Sequence, residues 1–427
     1  MHDLKLLREQ PDRLRDGLAR RGALDALAPV LDRLDALERE RRAVIAAVEE
    51  RKAARNATTQ EVARRKRAKE PADDLVAAAR ALGDDIASGD ARRAAVDAEL
   101  DALLLELPNV PLADVPAGGE QANVVVRRWG EPRATDGVRP HWDVGAALGL
   151  FDLERAVKVS GSGFACYRGA GARLVRALLN WCMNTHADEH GYEEVWPPAL
   201  VSRASMTGTG QLPKFEDDAY RVDGDDQLFL APTAEVPVTN LYRDEILDAG
   251  ELPKAFVAYT PCFRREAGSA GKDTRGIQRL HQFDKVELVR YSTPEASHDE
   301  LERLTGHAER LLQLLELPYR VVLLAAGDTG FSSAKTYDLE VWAPGVGRWL
   351  EVSSCSVFTD FQARRANIRY RPSPGEKPRF VHTLNGSGLA FPRVIAALLE
   401  VHQTADGTVA LPAPLRPYVG ADRLAPR

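Results

Sequence analysis

Two long apolar stripes open the chain. Leu31, Leu34, Leu37, Val44, Ile45 and Val48 recur at mostly three- and four-residue spacing. So do Leu75, Ala79, Leu82 and Ile86, then Val96, Leu100, Leu103 and Leu107. This spacing predicts long helices, each with one apolar face, zipped together as an antiparallel coiled coil. The faces away from the stripes carry mixed charge, as a solvated arm requires. At Leu107-Pro108-Asn109-Val110-Pro111 the pattern changes, and Trp, Phe, Tyr, Gly and Pro become common. A domain boundary is expected there, giving 1–107 and 108–427. In the second part, the runs from Asn123 to Arg128 and from Val286 to Val289 read as strands. Leu174 to His186 and Leu301 to Leu315 read as helices. Strands predominate around the polar motifs, without regular βαβ alternation. The expected fold is therefore α+β, a helical hairpin joined to an antiparallel sheet flanked by helices.

Charge sharpens the picture. Lys plus Arg number 57 and Asp plus Glu 63 among 427 residues, a formal net charge of −6. A uniformly basic nucleic-acid binder is excluded, but a local basic patch is not. One exists between the stripes: Arg51, Lys52, Arg55, Arg64, Arg65, Lys66, Arg67 and Lys69, with Glu61 as the one acid among them. At the far end of a hairpin this run fits either a solvated tip or a phosphate-binding finger. A single basic tip on an acidic chain favours RNA. The four cysteines, Cys166, Cys182, Cys262 and Cys355, form no C-x-x-C, so reduced thiols and a cytoplasmic location are expected. Met1 to Leu18 is charged every few residues, and no signal peptide is expected. No apolar run has the length of a membrane span.

The chain carries neither a G-x-x-x-x-G-K-[ST] run nor a G-x-G-x-x-G opening a helix. A bound nucleotide would need another device. His186-Ala187-Asp188-Glu189-His190 fits H-x-x-E-H, but its polar setting before Gly191 reads as an exposed helix end, and no zinc is expected. Three dispersed blocks are more telling. The first is Gly191 to Val201 (GYEEVWPPALV), a helix end running into a strand that contains proline. The second is Cys262 to Glu287 (CFRREAGSAGKDTRGIQRLHQFDKVE), read as a strand, a Gly-rich polar loop and a second strand. The third is Asn385 to Arg393 (NGSGLAFPR), leading into a helix from Val394 to Leu399.

These blocks resemble the three signature motifs of class II aminoacyl-tRNA synthetases, and most closely those of the seryl-tRNA synthetase family. The likeness extends to Arg127-Arg128-Trp129-Gly130, Gly208 to Phe215, Pro232 to Pro237, Gln362 to Asn367 and the N-terminal hairpin. In that family the hairpin holds the long variable arm of tRNA(Ser). The resemblance implies that L-serine and ATP form seryl-adenylate and that serine passes to tRNA(Ser) and, where it exists, tRNA(Sec). It also implies a homodimer, with the first block at the interface and Pro198 at its turn.

Both reactants of serine activation are anionic, so the site must supply positive charge and hold the carboxylate in line. By resemblance, Arg264 bridges the serine carboxylate and the α-phosphate, a task suited to a planar fork. Glu266 accepts from the adenine amino group, and Phe283 and Arg393 stack on its two faces. Arg279 reaches the outer phosphates, the backbone at Leu280 touches the nucleotide, and Arg265 completes the ATP set. Glu351 and Ser354 hold Mg²⁺ and phosphates, with Val352 and Ser353 on the same strand. Thr233, Ala234, Glu235, Glu287, Asn385 and Ser387 form the serine pocket. The carboxylates Glu235 and Glu287 fit either a cationic amine or an internal ion pair. No general base is evident for the transfer step, and His281 reads as a packing or hydrogen-bonding residue. Phe391-Pro392 and the short loop Ala219 to Leu230 depart from the family pattern. Two alternatives share these motifs: a paralogue supplying seryl-tRNA to a biosynthetic or resistance pathway, and a non-catalytic tRNA-binding regulator.

Overall fold

The computed structural model describes residues 1–267 and 275–426. The Gly-rich part of the second block, Gly268 to Thr274, lies outside the described residues. The chain divides into two compact units, 2–15 with 23–107, and Met1 with 16–22 and 108–427.

In the first unit, α1 (Leu24–Arg67) and α2 (Asp73–Glu106) form the hairpin that the stripes predict. Leu31, Leu34, Leu37 and Val48 meet Ile86, Val96, Leu100 and Leu104 in its seam. Leu104, not Leu103, is the buried member, because the stripe steps by four from Val96 through Leu100. Arg33 with Glu99, Arg41 with Asp97 and Arg51 with Asp85 bridge the helices in opposite chain directions. At the tip, Arg64 pairs with Glu61 and Glu70, and Arg65 with Glu61 and Asp74. The basic run is thus partly neutralised by Glu61 within it and by Glu70 and Asp74 beyond it in sequence. Arg55, Lys66, Arg67 and Lys69 make no ion pair among the described residues.

The second unit is built on an eight-stranded sheet. Its strands are β1 (Val124–Trp129), β2 (Glu193–Val195), β3 (Lys254–Phe263), β4 (Gln282–Ser292), β5 (Tyr319–Leu323), β6 (Lys335–Ala343), β7 (Arg348–Thr359) and β8 (His382–Ala390). They lie in the order β1-β5-β6-β7-β8-β4-β3-β2. Every pairing is antiparallel except β2 with β3. Three helices, α3 (Ala170–Asp188), α4 (Ser297–Leu314) and α5 (Phe391–Val401), pack against one face. Their apolar residues share a core with Val286 and Leu288 of β4, Cys355 and Val357 of β7 and Leu384 of β8. Strand alternation sends the intervening residues to the opposite face. Gly386 allows the close approach of α4, since a Cβ there would stand 2.2 Å from Leu304 Cδ2.

Three local expectations change. The first block is not one strand: β2 ends at Val195, and Leu200–Ser202 pairs with Leu228–Leu230 in a separate two-stranded sheet. The third block is strand as far as Ala390, and α5 begins at Phe391, so Arg393 already lies in its first turn. The end of α3 is exposed at Asp188 and Glu189 as expected, but His186 is fully buried and its Nδ1 lies 3.0 Å from Nδ1 of His190. The strand and helix readings at 123–128, 286–289, 174–186 and 301–315 agree with β1, β4, α3 and α4.

Candidate active site

The sheet face away from these helices carries a cavity of about 350 Å³. Its wall includes Thr233, Glu235, Arg264, Glu266, Arg279, Leu280, Phe283, Glu351, Val352, Ser354, Asn385, Ser387 and Arg393. Residues scattered over 160 positions of sequence thus converge as the motif reading requires.

Strand parity explains the convergence. Phe283, Lys285 and Glu287 alternate along β4, and Ser354, Ser356 and Phe358 along β7. Glu351 breaks the parity. Two residues of β7 lie opposite one of β6 between Glu351 and Ser353, a bulge that brings both Glu351 and Val352 to the cavity. A second irregularity separates Ser387 from Ala390 on β8, opposite Glu287 and Lys285. It lets both of those β8 residues line the wall.

Around Glu235 the polar groups are buried and interlocked. Thr233 Oγ1 donates to Glu287 Oε2 at 2.6 Å and accepts from Lys285 Nζ at 2.9 Å. Lys285 also forms an ion pair with Glu287. Asn385 Nδ2 donates to Glu235 Oε2 at 3.0 Å and to Glu287 Oε1 at 3.2 Å. Gln362 Nε2 donates to Glu235 Oε1 at 2.7 Å. Burial, then the neighbouring Glu287, pushes the Glu235 carboxyl up to about 7. The two carboxylates therefore differ: Glu235 lines the cavity, whereas Glu287 stands behind it, tied to Lys285.

At the other end, Arg393 donates from Nη1 to Glu351 Oε2 at 3.0 Å and from Nε to the Gln278 carbonyl at 3.2 Å. Burial opposes ionisation of Glu351, but Arg393, together with Arg264 and Lys285, holds the carboxyl below its ordinary value. The Glu351 side chain nevertheless keeps 44% of its exposure, at the cavity surface. Arg279 pairs with Glu266. The Arg264 guanidinium lies 5.3 Å over the Phe283 ring, and its backbone N–H donates to His281 O at 2.9 Å. Among the described residues no three His, Cys, Asp or Glu side chains form a cluster able to hold a metal. Glu351 and Ser354 instead offer oxygen donors at the cavity wall. Asp338 Oδ1, buried without a hydrogen-bond partner among the described residues, lies on β6 opposite Ser354.

Four assigned residues do not line this cavity. Ala234 and Ser353 are buried, and Ser353 Oγ donates to the Ser387 carbonyl at 2.7 Å. Glu287 stands behind the wall, and Arg265 is exposed, with its backbone N–H on Asp218 O. His281 has the hydrogen-bonding role expected of it, with Nδ1 3.1 Å from Arg264 O. Sequence reasoning missed Lys285, Gln278 and Gln362. The two-residue alternation through Phe283 and Glu287 points to Lys285. Gln278 and Gln362 lie inside quoted motifs but carry no charge to mark them.

Family models match at both ends of the chain. The seryl-tRNA synthetase N-terminal domain matches residues 1–111. The class II core domain of the G, H, P, S and T synthetases matches residues 215–402. The serine–tRNA ligase of Gemmatimonas aurantiaca is 65% identical over 426 residues, covering 100% of both chains. That of Geobacillus thermodenitrificans is 57% identical over 98% of this chain and 99% of its own. Among solved structures, the seryl-tRNA synthetase of Pyrococcus horikoshii complexed with ATP superposes with a TM-score of 0.96 at 39% identity, over 100% of both chains. By its fold, its site and its full-length relatives, the chain belongs to the seryl-tRNA synthetases, the serine–tRNA ligases among the class II aminoacyl-tRNA synthetases.

Proposed function

We propose that the chain joins L-serine to ATP, releasing pyrophosphate, and then passes the seryl group to tRNA(Ser), with tRNA(Sec) as a further acceptor where it exists. The observation that carries this reading is the single cavity in which Arg264, Glu235, Glu351 and Arg393 meet. A relative at 39% identity is complexed with ATP, and ATP is the nucleotide assigned here.

Glu235 receives the serine ammonium, and Thr233 and Asn385, both on the wall, orient the substrate. Lys285, also on the wall, holds Thr233 and, behind it, Glu287. Adenine takes the Phe283 ring and the Glu266 carboxylate. Those are the groups on which Arg264 and Arg279 rest, so nucleotide binding exchanges partners and turns both guanidiniums toward phosphate. Arg264 then bridges the serine carboxylate and the α-phosphate, placing nucleophile and phosphorus in line. Glu351 and Ser354 suit Mg²⁺, a hard cation bound through few carboxylates plus substrate phosphates. Once bound it would neutralise phosphate charge. The basic tip of the hairpin engages tRNA phosphates. The chain acts as a homodimer through the face around Trp196 and Leu200, which are 68% and 48% exposed; a light-scattering mass tests that assembly.

Adenylation with each of the twenty amino acids tests the activity. Serine alone should support ATP–pyrophosphate exchange, and the absence of exchange with serine would overturn the reading. The same assay has a pH signature. Glu235 must be ionised to hold an ammonium group, and it titrates at about 7. Serine KM should therefore fall as pH rises through 7 and climb by up to about tenfold per unit below it. In the ligand-free protein the sign is opposite. A carboxyl raised above its unfolded value favours the fold at low pH, and that stability is lost as pH rises through about 7. Glu235→Gln should flatten both dependences.

A further inference from the structure

Next to the nucleotide end of the cavity lie two side chains with no exposure, His141 and Glu400. Glu400 sits on α5 seven residues after Arg393, on the same helix face. Its Oε1 accepts from the His141 backbone N–H at 2.9 Å and faces His141 Nδ1 at 2.8 Å. Its Oε2 accepts from the N–H groups of Gly345 at 2.8 Å and Val346 at 3.2 Å. These contacts fix the carboxylate, which in turn orients the imidazole.

The other ring nitrogen, Nε2, lies 3.4 Å from the backbone nitrogen of Ile277. A backbone N–H can only donate, so Nε2 is the acceptor and the proton sits on Nδ1, directed at Glu400. The chain limb that carries Ile277 presses closely on this ring. A Cβ at Gly276 would stand 2.3 Å from His141 Nε2 and 3.1 Å from Trp142 Cε3, at a φ of +76°. Only glycine fits that approach and that backbone angle without strain. Arg275 lies 4.5 Å over the Trp142 ring. One step further along, the Gln278 carbonyl accepts from Arg393 Nε at 3.2 Å, and Gln278, Arg279 and Leu280 line the cavity.

We infer that His141 is a positioning residue for ATP. Held in one tautomer by Glu400, it seats the limb Gly276 to Leu280 and thereby sets the Gln278 carbonyl, the Arg393 guanidinium and the nucleotide wall. The serine end is held by other contacts, among Thr233, Lys285, Glu287 and Asn385. The inference rests on the ATP reading of the cavity given above. Wild-type exchange tests that reading, and the variant-to-wild-type ratios test this one.

Two isosteres divide the imidazole between them. His141→Asn keeps an amide donor near Nδ1 and loses the acceptor at Nε2. His141→Gln places an amide oxygen near Nε2. In ATP–pyrophosphate exchange with the full chain, His141→Asn should raise the ATP KM about fivefold, the size of one lost hydrogen bond, and leave serine KM within twofold. His141→Gln should recover most of the ATP KM even where its melting temperature is lower. Gly276→Ala pushes the limb off the ring from the other side; it should lower the melting temperature and raise the ATP KM well beyond any rise in serine KM. Equal effects of Asn and Gln would assign His141 to packing alone and overturn the inference. So would an ATP KM within twofold of wild type in both His141→Asn and Gly276→Ala, or parallel rises in ATP and serine KM that track the loss in melting temperature.

Discussion

Replacing Arg264 with alanine should cut serine-dependent ATP–pyrophosphate exchange by about 10³-fold, the upper range for loss of one preorganised charged donor. The residue follows β3 directly, and its backbone N–H is fixed on His281 O at 2.9 Å. Its guanidinium therefore reaches the cavity from a rigid base while remaining exposed and free to move from Phe283 to phosphate. Arg264→Lys keeps the charge but not the two parallel donors, and should restore at most about a tenth of the activity. Melting temperatures should stay within a degree or two of wild type, because an exposed side chain with one long hydrogen bond to Pro232 O and a 5.3 Å contact with the Phe283 ring contributes little to folding. An alanine variant that retains more than about a tenth of wild-type exchange would remove Arg264 from the reaction.

The hairpin should respond in the other assay. Changing Lys66, Arg67 and Lys69 together to alanine should lower charging of tRNA(Ser) on the order of 100-fold at moderate salt and leave exchange unchanged. These side chains are exposed and make no ion pair among the described residues, so their charge is available to phosphate. Arg64 and Arg65 already share Glu61, Glu70 and Asp74, and Arg64→Ala alone should cost much less. The slope of log kcat/KM for charging against log salt should flatten by roughly two to three units in the triple variant, near one per lost phosphate contact. Equal losses in charging and exchange would place the fault in the fold. Undiminished charging would make the tip a solvated end and nothing more.

The hairpin and the class of the sheet domain were legible because each rests on a repeating signal. Leu31, Leu34 and Leu37 mark a helix face whatever they pack against, and the motif arginines and glutamates stand out by charge. What was hidden depends on pairing between distant strands. Glu351 and Val352 are neighbours that regular pleating would turn to opposite faces, and only the offset against Glu340 and Leu339 brings both to the cavity. The division of labour between Glu235 and Glu287 turns on Lys285, whose ammonium group could as well have been a surface charge. His186 illustrates the reverse error. Its polar neighbours suggest solvent, but Tyr192 and His307 fold back over the helix end and enclose it.

The offset in β7 makes residue count itself a determinant of catalysis. Between Arg348 and Ala343 the chain simply turns, and extra residues there would lengthen a loop. Opposite the offset, one residue added to β6 between Leu339 and Glu340 would let the two strands regain ordinary pleating, with Glu351 in the parity of Ser353 and Cys355. Every side chain would remain chemically intact, yet the Glu351 carboxylate would swing into the apolar layer beside Cys355 and the helices, out of reach of any phosphate. This stretch should therefore tolerate changes of residue type far better than changes of length.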